Sequence, residues 1–264
     1  MDFQKQKWEI IQAENRSGTQ EQINQRVRET LNRNISIFDD FENFFKRKFP
    51  LKDRVIVEIG CGGGWWLATP IKRGAQAIGF DVSKEILTRA QTAFQLLGLK
   101  NYKFYEADSR CLSILEPSSV DYVFEITVFQ HIDPEVTRRY LETAHDVLKN
   151  DGSTVLQFLM NDKNPYKNPH AGAGTVFYSS SEVREMVTRT NFIIESIYKS
   201  WEEGESHWNH YLLRKPRGRI DRFRLRMMQT FYSARGVIPR RRKIVTEPTI
   251  LDKYPSVHRD PLRE

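Results

Sequence analysis

Three acids stand where an apolar run stops. Glu58 lies in "VIVEIGCGGGWW", Asp81 closes "AIGFD", and Asp108 falls in "FYEADSR". Glu58 precedes Gly60, Gly62, Gly63 and Gly64, a stretch in which the chain can turn sharply and let a ligand approach its backbone. A dinucleotide site would ask for Gly-x-Gly-x-x-Gly, and the third position of that pattern is Trp65. Glu58 is also a poor neighbour for a pyrophosphate, because like charges repel, and a good one for a cation. Asp81 follows Gly60 at close to the spacing at which an acid accepts hydrogen bonds from ribose hydroxyls. Asp108 can accept a bond from an amine such as that of adenine. A nucleoside carrying a cationic amino-acid portion would use all three acids, and a phosphate-bearing cofactor would be repelled by them. Asp81 and Asp108 as ordinary helix caps is the competing reading.

The elements that must hold these residues are legible in the apolar pattern. Strands are expected at 54–59, 76–81, 102–106, 121–127, 153–159, 192–199 and 207–214, several too continuously apolar to have one wet face. Between them lie helical patterns with their own punctuation: Ser83 as a cap and Gly98 as a stop, then Asp133 with Pro134 as a start and Asn150, Asp151 and Gly152 as an end. Strand and helix alternate, which predicts an open α/β sheet, Rossmann-like, with helices on both faces and ligands beyond the carboxyl ends of the strands. Residues 1–50 read as helical, with Ile23, Val27, Leu31, Ile35, Phe38, Phe41 and Phe45 on one face and Pro50 as the closing residue. The predicted organisation is an N-terminal helical extension at 1–50, with a lid among its roles, a main domain at 51–216 and a basic tail at 217–264.

At this point the chain resembles the class I S-adenosylmethionine-dependent methyltransferases. The resemblance rests on "VEIGCGGG", "GFDVS", "EADSR", "VDYVFEITVFQHI" and "LKNDGSTVLQF", and runs from about Val55 to Leu213. It implies a seven-stranded, mostly parallel sheet whose last strand is antiparallel. It also implies S-adenosyl-L-methionine as cofactor, with Glu58, Gly60 and Gly62 near its methionine end, Asp81 on the ribose, and Asp108 with Ser109 at the adenine. A sulfonium and an ammonium in place of a pyrophosphate make the third glycine dispensable.

Methyl transfer from a sulfonium is an in-line displacement, so the protein aligns the acceptor, excludes water and removes a proton where the acceptor holds one. His131, in "VFQHIDP", is the candidate base, with a structural role open beside it. Thr127 is assigned to the cofactor, and it and Gln130 flank the same rim, with packing as the alternative. Tyr166, His170 and Tyr178 are candidates for an acceptor pocket, while His207 and His210 suit strand pairing, and Trp65 and Trp66 suit packing. The amino-methylating nucleic-acid enzymes of the family show an acid or Asn followed by Pro-Pro and an aromatic, where this chain has "EITVF". A hydroxyl or carboxylate acceptor on a small molecule or glycan, lipid-linked in one version, is therefore favoured.

Composition sets the partners. The net charge is +7, and from Arg214 to Glu264 there are 15 Lys and Arg against 5 Asp and Glu, so the tail holds +10 and the rest −3. Ile220, Phe223, Met227 and Phe231 form a helical stripe with arginines around it, which points to an anionic membrane surface or a polyanion for residues 217–243. An RNA methyltransferase using the tail, and a non-catalytic scaffold retaining the fold, are the rival readings; a nicotinamide dehydrogenase fits least well. The two cysteines, Cys61 and Cys111, are too few for a disulfide framework and not spaced as metal ligands. With no secretory signal in "MDFQKQKWEI" and no apolar stretch of bilayer length, the expected location is cytoplasmic, or peripheral at the inner membrane surface.

Overall fold

The computed structural model describes residues 36–107, 112–165, 167–168 and 175–234. Seven strands form one sheet in the order β3-β2-β1-β4-β5-β9-β8. They are β1 (Val55–Ile59), β2 (Gln76–Asp81), β3 (Tyr102–Glu106), β4 (Val120–Glu125), β5 (Leu148–Met160), β8 (Ile193–Glu203) and β9 (Ser206–Arg214). Strands β1 to β5 run parallel, and β9 is antiparallel to both of its neighbours, β5 and β8. A two-stranded pair, β6 (Lys167–Asn168) with β7 (Thr175–Val176), stands apart. This is the expected mostly parallel, Rossmann-like α/β architecture. Strand order reverses where β1 lies between β2 and β4, and the crevice beyond the carboxyl ends of β1 and β4 is the switch point at which such sheets bind ligands.

Helices cover both faces. On one, α1 (Ile37–Phe45), α2 (Trp65–Lys72) and α3 (Lys84–Leu96) press Phe38, Phe41, Leu67, Ile71 and Phe94 onto Ile56, Tyr122, Phe124 and Val155. On the other, α4 (Pro134–Val147) and α5 (Ser180–Arg189) bring Leu141, Ala144, Val183 and Val187 against Val57, Val123, Leu156 and Phe158. Alternate residues of β4 thus enter opposite cores, as a period of two requires. The start signals act as read: Ser83 accepts from the Ile86 N–H and Asp133 from the Glu135 N–H, with Pro134 in the first turn.

Strand β8 runs past its expected end at 199 to Glu203, and three further boundaries differ from the expectation. Helix α1 stops before Pro50, because Lys46 takes φ 48° and breaks the helix. The segment after α4 enters the sheet at Leu148, so Asn150 and Asp151 belong to an irregular start of β5, where the register to β4 shifts. Strand β4 ends at Glu125, since Thr127 adopts φ 62°, which cannot continue a strand. Residues 1–35, where the rest of the N-terminal apolar face falls, and the tail beyond 234 lie outside the described residues.

At the starting edge of the sheet, Asp121 accepts from the Val55 N–H (2.9 Å), Arg54 (2.9 Å) and Lys149 (2.7 Å), joining the beginnings of β1, β4 and β5. Burial pushes its carboxyl up, but Lys149, the Val55 N–H and Arg54 outweigh burial and leave it below the usual carboxylate range. Its side chain is 4% exposed, whereas Arg54 and Lys149 are 39% and 36% exposed, which screens the pairs. Asp121→Asn is expected to cost about 2 kcal/mol and to lower the melting temperature by several degrees at neutral pH. A depressed carboxylate stabilises above its unfolded pKa and stops doing so as pH falls through the folded value, so the difference from wild type should vanish in acid melts.

Candidate functional site

The loop after β1 is shaped by what surrounds it. Gly60 has φ 68°, and a Cβ there would lie 2.2 Å from a Val128 methyl, so the loop and the turn after β4 touch at a point that admits only glycine. Gly62, at φ 49°, is different: a Cβ would meet nothing within 4 Å, leaving its backbone open to a ligand, while its N–H donates to Asp81 Oδ2 at 2.9 Å. Trp65 and Trp66 begin α2 and pack, half-buried, against the core under that helix, as their packing reading anticipated.

The acids of the carboxyl edge are held in two ways. Asp81 accepts the Gly62 N–H on Oδ2 and the Ser83 N–H on Oδ1, both at 2.9 Å, which fixes its plane and leaves lone pairs on both oxygens. Burial raises its pKa, against the pull of backbone N–H groups of Ser83, Gly62 and Val82. Glu58 is 2% exposed, and its Oε2 has no hydrogen-bond partner among the described residues. Burial first, then the charges of Asp81 and Glu125, push its carboxyl well above the ordinary value. Asp108 and Ser109, assigned to the adenine, lie outside the described residues.

Glu125 completes the edge and was not singled out in the sequence. It is fully buried, and its Oε1 accepts the N–H groups of Val128 and Phe129 while Oε2 accepts that of Gln157 at 3.2 Å. Burial lifts its pKa to about 8 against those three donors. The available signal was an acid inside the otherwise apolar "YVFEITVF". Glu125 clamps the turn that carries Thr127, Gln130 and His131. Gln157, a second residue not singled out, accepts the Thr127 N–H on Oε1 at 2.8 Å.

His131 sits in the short 3-10 turn Phe129–His131 and is 5% exposed. The Gln130 amide nitrogen donates to the Thr127 carbonyl (2.7 Å) and lies 3.0 Å from His131 Nε2. With one amide hydrogen on the carbonyl, the other points to Nε2, which therefore accepts. Gln130 Oε1 is buried with no partner among the described residues. The structure thus brings Glu58, Gly60, Gly62, Asp81, Thr127 and His131 to the switch-point edge.

The other candidates separate. Tyr178 is fully buried beside α4, with its hydroxyl 3.2 Å from Thr137 Oγ1 and 3.4 Å from the Phe129 carbonyl, so it belongs to the core and not to a pocket wall. His207 and His210 are paired in β9, opposite Met160 and Gln157 of β5. Burial lowers His210 to about 4, and its Nε2 lies 2.9 Å from Ser200 Oγ. Tyr166 and His170 lie outside the described residues. No cluster with metal-ligand geometry occurs among the described residues.

Residues 56–152 match the family model of a methyltransferase domain. Over 92 residues the chain is 29% identical to a ubiquinone biosynthesis O-methyltransferase of Methylococcus capsulatus, covering 34% of this chain and 38% of that one. Over 185 residues it is 26% identical to a tRNA U34 carboxymethyltransferase of Sulfurimonas denitrificans, covering 62% and 61%. In both, the match spans less than two thirds of the relative's length. The fold is shared with geranyl diphosphate C-methyltransferase from Streptomyces coelicolor, whose crystal structure contains Mg2+, geranyl diphosphate and S-adenosyl-L-homocysteine. The TM-score is 0.56 at 12% identity, covering 67% of this chain and 77% of that one. Residues 56–152 thus carry a methyltransferase domain, and the seven-stranded sheet with the acids gathered at its switch point is similar to that of the class I S-adenosylmethionine-dependent methyltransferases.

Proposed function

We propose that the protein transfers a methyl group from S-adenosylmethionine to a hydroxyl or carboxyl oxygen of a small molecule or glycan, and that residues 217–243 contact an anionic surface. The observation that supports the donor most directly is the buried, unpartnered Oε2 of Glu58 beside an open Gly62 backbone. An orphaned buried carboxylate oxygen is costly, and a cationic ligand relieves it. The residues present fit the donor. Glu58 and the Gly60 to Gly62 backbone take the amino-acid end, Asp81 offers its spare lone pairs to ribose hydroxyls, and Thr127 borders the sulfonium. When bound, the donor supplies an electrophilic methyl, so this chain needs no nucleophile of its own.

His131 is the proposed base. Its Nε2 already accepts from Gln130, so taking a proton from the acceptor requires Gln130 to keep only its bond to the Thr127 carbonyl. Glu125 and Gln157 do not touch the chemistry in this scheme; they hold the turn. A hydroxyl or carboxyl acceptor follows from the absence of the Pro-Pro signature after β4 and from the O-methyltransferases among the relatives. The tRNA-modifying relative favours RNA as a second reading. The deciding experiment incubates the protein with methyl-labelled donor and separated metabolite, glycan, lipid and RNA pools. Label in a non-RNA pool supports the first reading, released by mild alkali if an ester and retained if an ether; label in RNA overturns it. His131→Ala should keep donor binding and lose transfer.

Donor binding should also move protons. Burial raises Glu58 well above the ordinary carboxylate range and Glu125 to about 8, and a cation beside acids favours their ionised forms. Binding should therefore release protons and tighten as pH rises. Calorimetry in buffers of different ionisation enthalpy should give different heats for S-adenosylmethionine, and a smaller difference for the thioether product, which keeps the ammonium but has lost the sulfonium charge. Equal heats across buffers would count against the acids as the cation's partners.

A further inference from the structure

The last described helix, α6 (Gly218–Ala234), is unlike the others in what it leaves in water. Ile220 is 70% exposed, Phe223 65%, Met227 58% and Phe231 49%. At about 100° per residue these four share one face. The opposite face is the one that docks: Leu225 is buried, Gln229 donates to the Thr188 carbonyl (3.1 Å) and Asn191 Oδ1 (2.9 Å), and Asp221 pairs with Arg214. Arg219 and Arg226 border the exposed stripe on one side and Arg224 on the other, with Arg222 further round towards the docked face, all four exposed. The apolar stripe therefore points straight away from the protein, between basic flanks.

We infer that α6 is an interfacial helix that lays Ile220, Phe223, Met227 and Phe231 into an anionic lipid bilayer, with the flanking arginines on the headgroups. This rests on the reading that residues 217–243 meet an anionic surface, and commits it to lipid. A polyanion would satisfy the arginines and leave the apolar stripe in water, whereas a bilayer interface takes both. A second copy of the same face would set arginine against arginine, since the one acid of the helix, Asp221, is already taken by Arg214.

The placement of the helix adds a direction. Its contacts lie where β5 and β8 begin: Lys215 donates to the Leu148 carbonyl, Arg217 to that of Asp151, and Gln229 reaches the segment between α5 and β8. Glu58, Asp81 and Glu125 stand at the other edge of the sheet. The bound protein thus presents its candidate site to the water, and the acceptor arrives from that side.

The test is flotation of the full chain with phosphatidylcholine vesicles, with and without phosphatidylserine. Flotation only with the anionic vesicles is expected. Phe223→Ser with Met227→Ser should abolish it, and Arg219→Gln with Arg226→Gln should weaken it roughly fivefold per arginine. Donor affinity should stay the same in both variants and on adding vesicles, which separates this proposal from the methyl-transfer reading. Failure to float with anionic vesicles, flotation indifferent to the stripe, or a stripe-dependent dimer or RNA complex instead would overturn it. A large change of donor affinity on vesicles would overturn the orientation.

Discussion

In the Asp81→Asn protein, S-adenosylmethionine is expected to bind roughly a hundredfold more weakly, a loss of about 2.7 kcal/mol. Two effects add. Hydrogen bonds from ribose hydroxyls to a charged acceptor contribute about 1.5–3 kcal/mol, and a neutral amide returns less. The substitution also sets an amide NH2 against either the Gly62 or the Ser83 N–H, both of which donate to the carboxylate in the native loop. Titration calorimetry measures the loss, and unchanged far-ultraviolet dichroism shows that the sheet is intact. Unaltered affinity would remove Asp81 from the donor site, and the family-based assignment of the neighbouring glycines with it.

Gly60→Ala should be at least as damaging. A non-glycine residue at φ 68° costs about 1 kcal/mol, and the new methyl would sit 2.2 Å from Val128. Overpacking of that kind costs a further ~1–3 kcal/mol. Val128 cannot yield freely, because its N–H is held by Glu125 in the turn that carries Thr127 and His131. Donor affinity is expected to fall a hundredfold or more. The cause can be separated from general damage: Val128→Ala removes the colliding methyls, so the double variant should recover most of the loss and keep only a deficit of about fivefold from the backbone conformation. No recovery would mean that the glycine loop and the β4 turn are not coupled by this contact.

How much of this was legible beforehand depends on the range of each interaction. Strands β1 to β3 end where read, since their apolar runs are closed by local signals, and Ser83 and Asp133 cap through bonds to residues two or three positions away. Glu125 escaped notice because its meaning lies in three backbone donors, one of them 32 residues distant on β5. Gln157 likewise looks like an ordinary polar residue until β5 is laid beside β4. The end of α1 was misplaced because Pro50 is a visible stop, whereas the left-handed turn at Lys46 is set by how the following residues meet the sheet. Tyr178 was drawn to the pocket by its long loop, yet a parallel bridge to Met160 pulls it into the core.

The sheet is seven strands wide, and its two outermost members shape how the molecule behaves in a crowd. Strand β3 carries Lys103 and Glu106 on its rim, and β8 carries Glu195, Lys199 and Glu202, with two register irregularities against β9. Charged, bulged margins make poor templates for a foreign strand. Growth into fibrils by lateral strand addition is thereby discouraged at both ends.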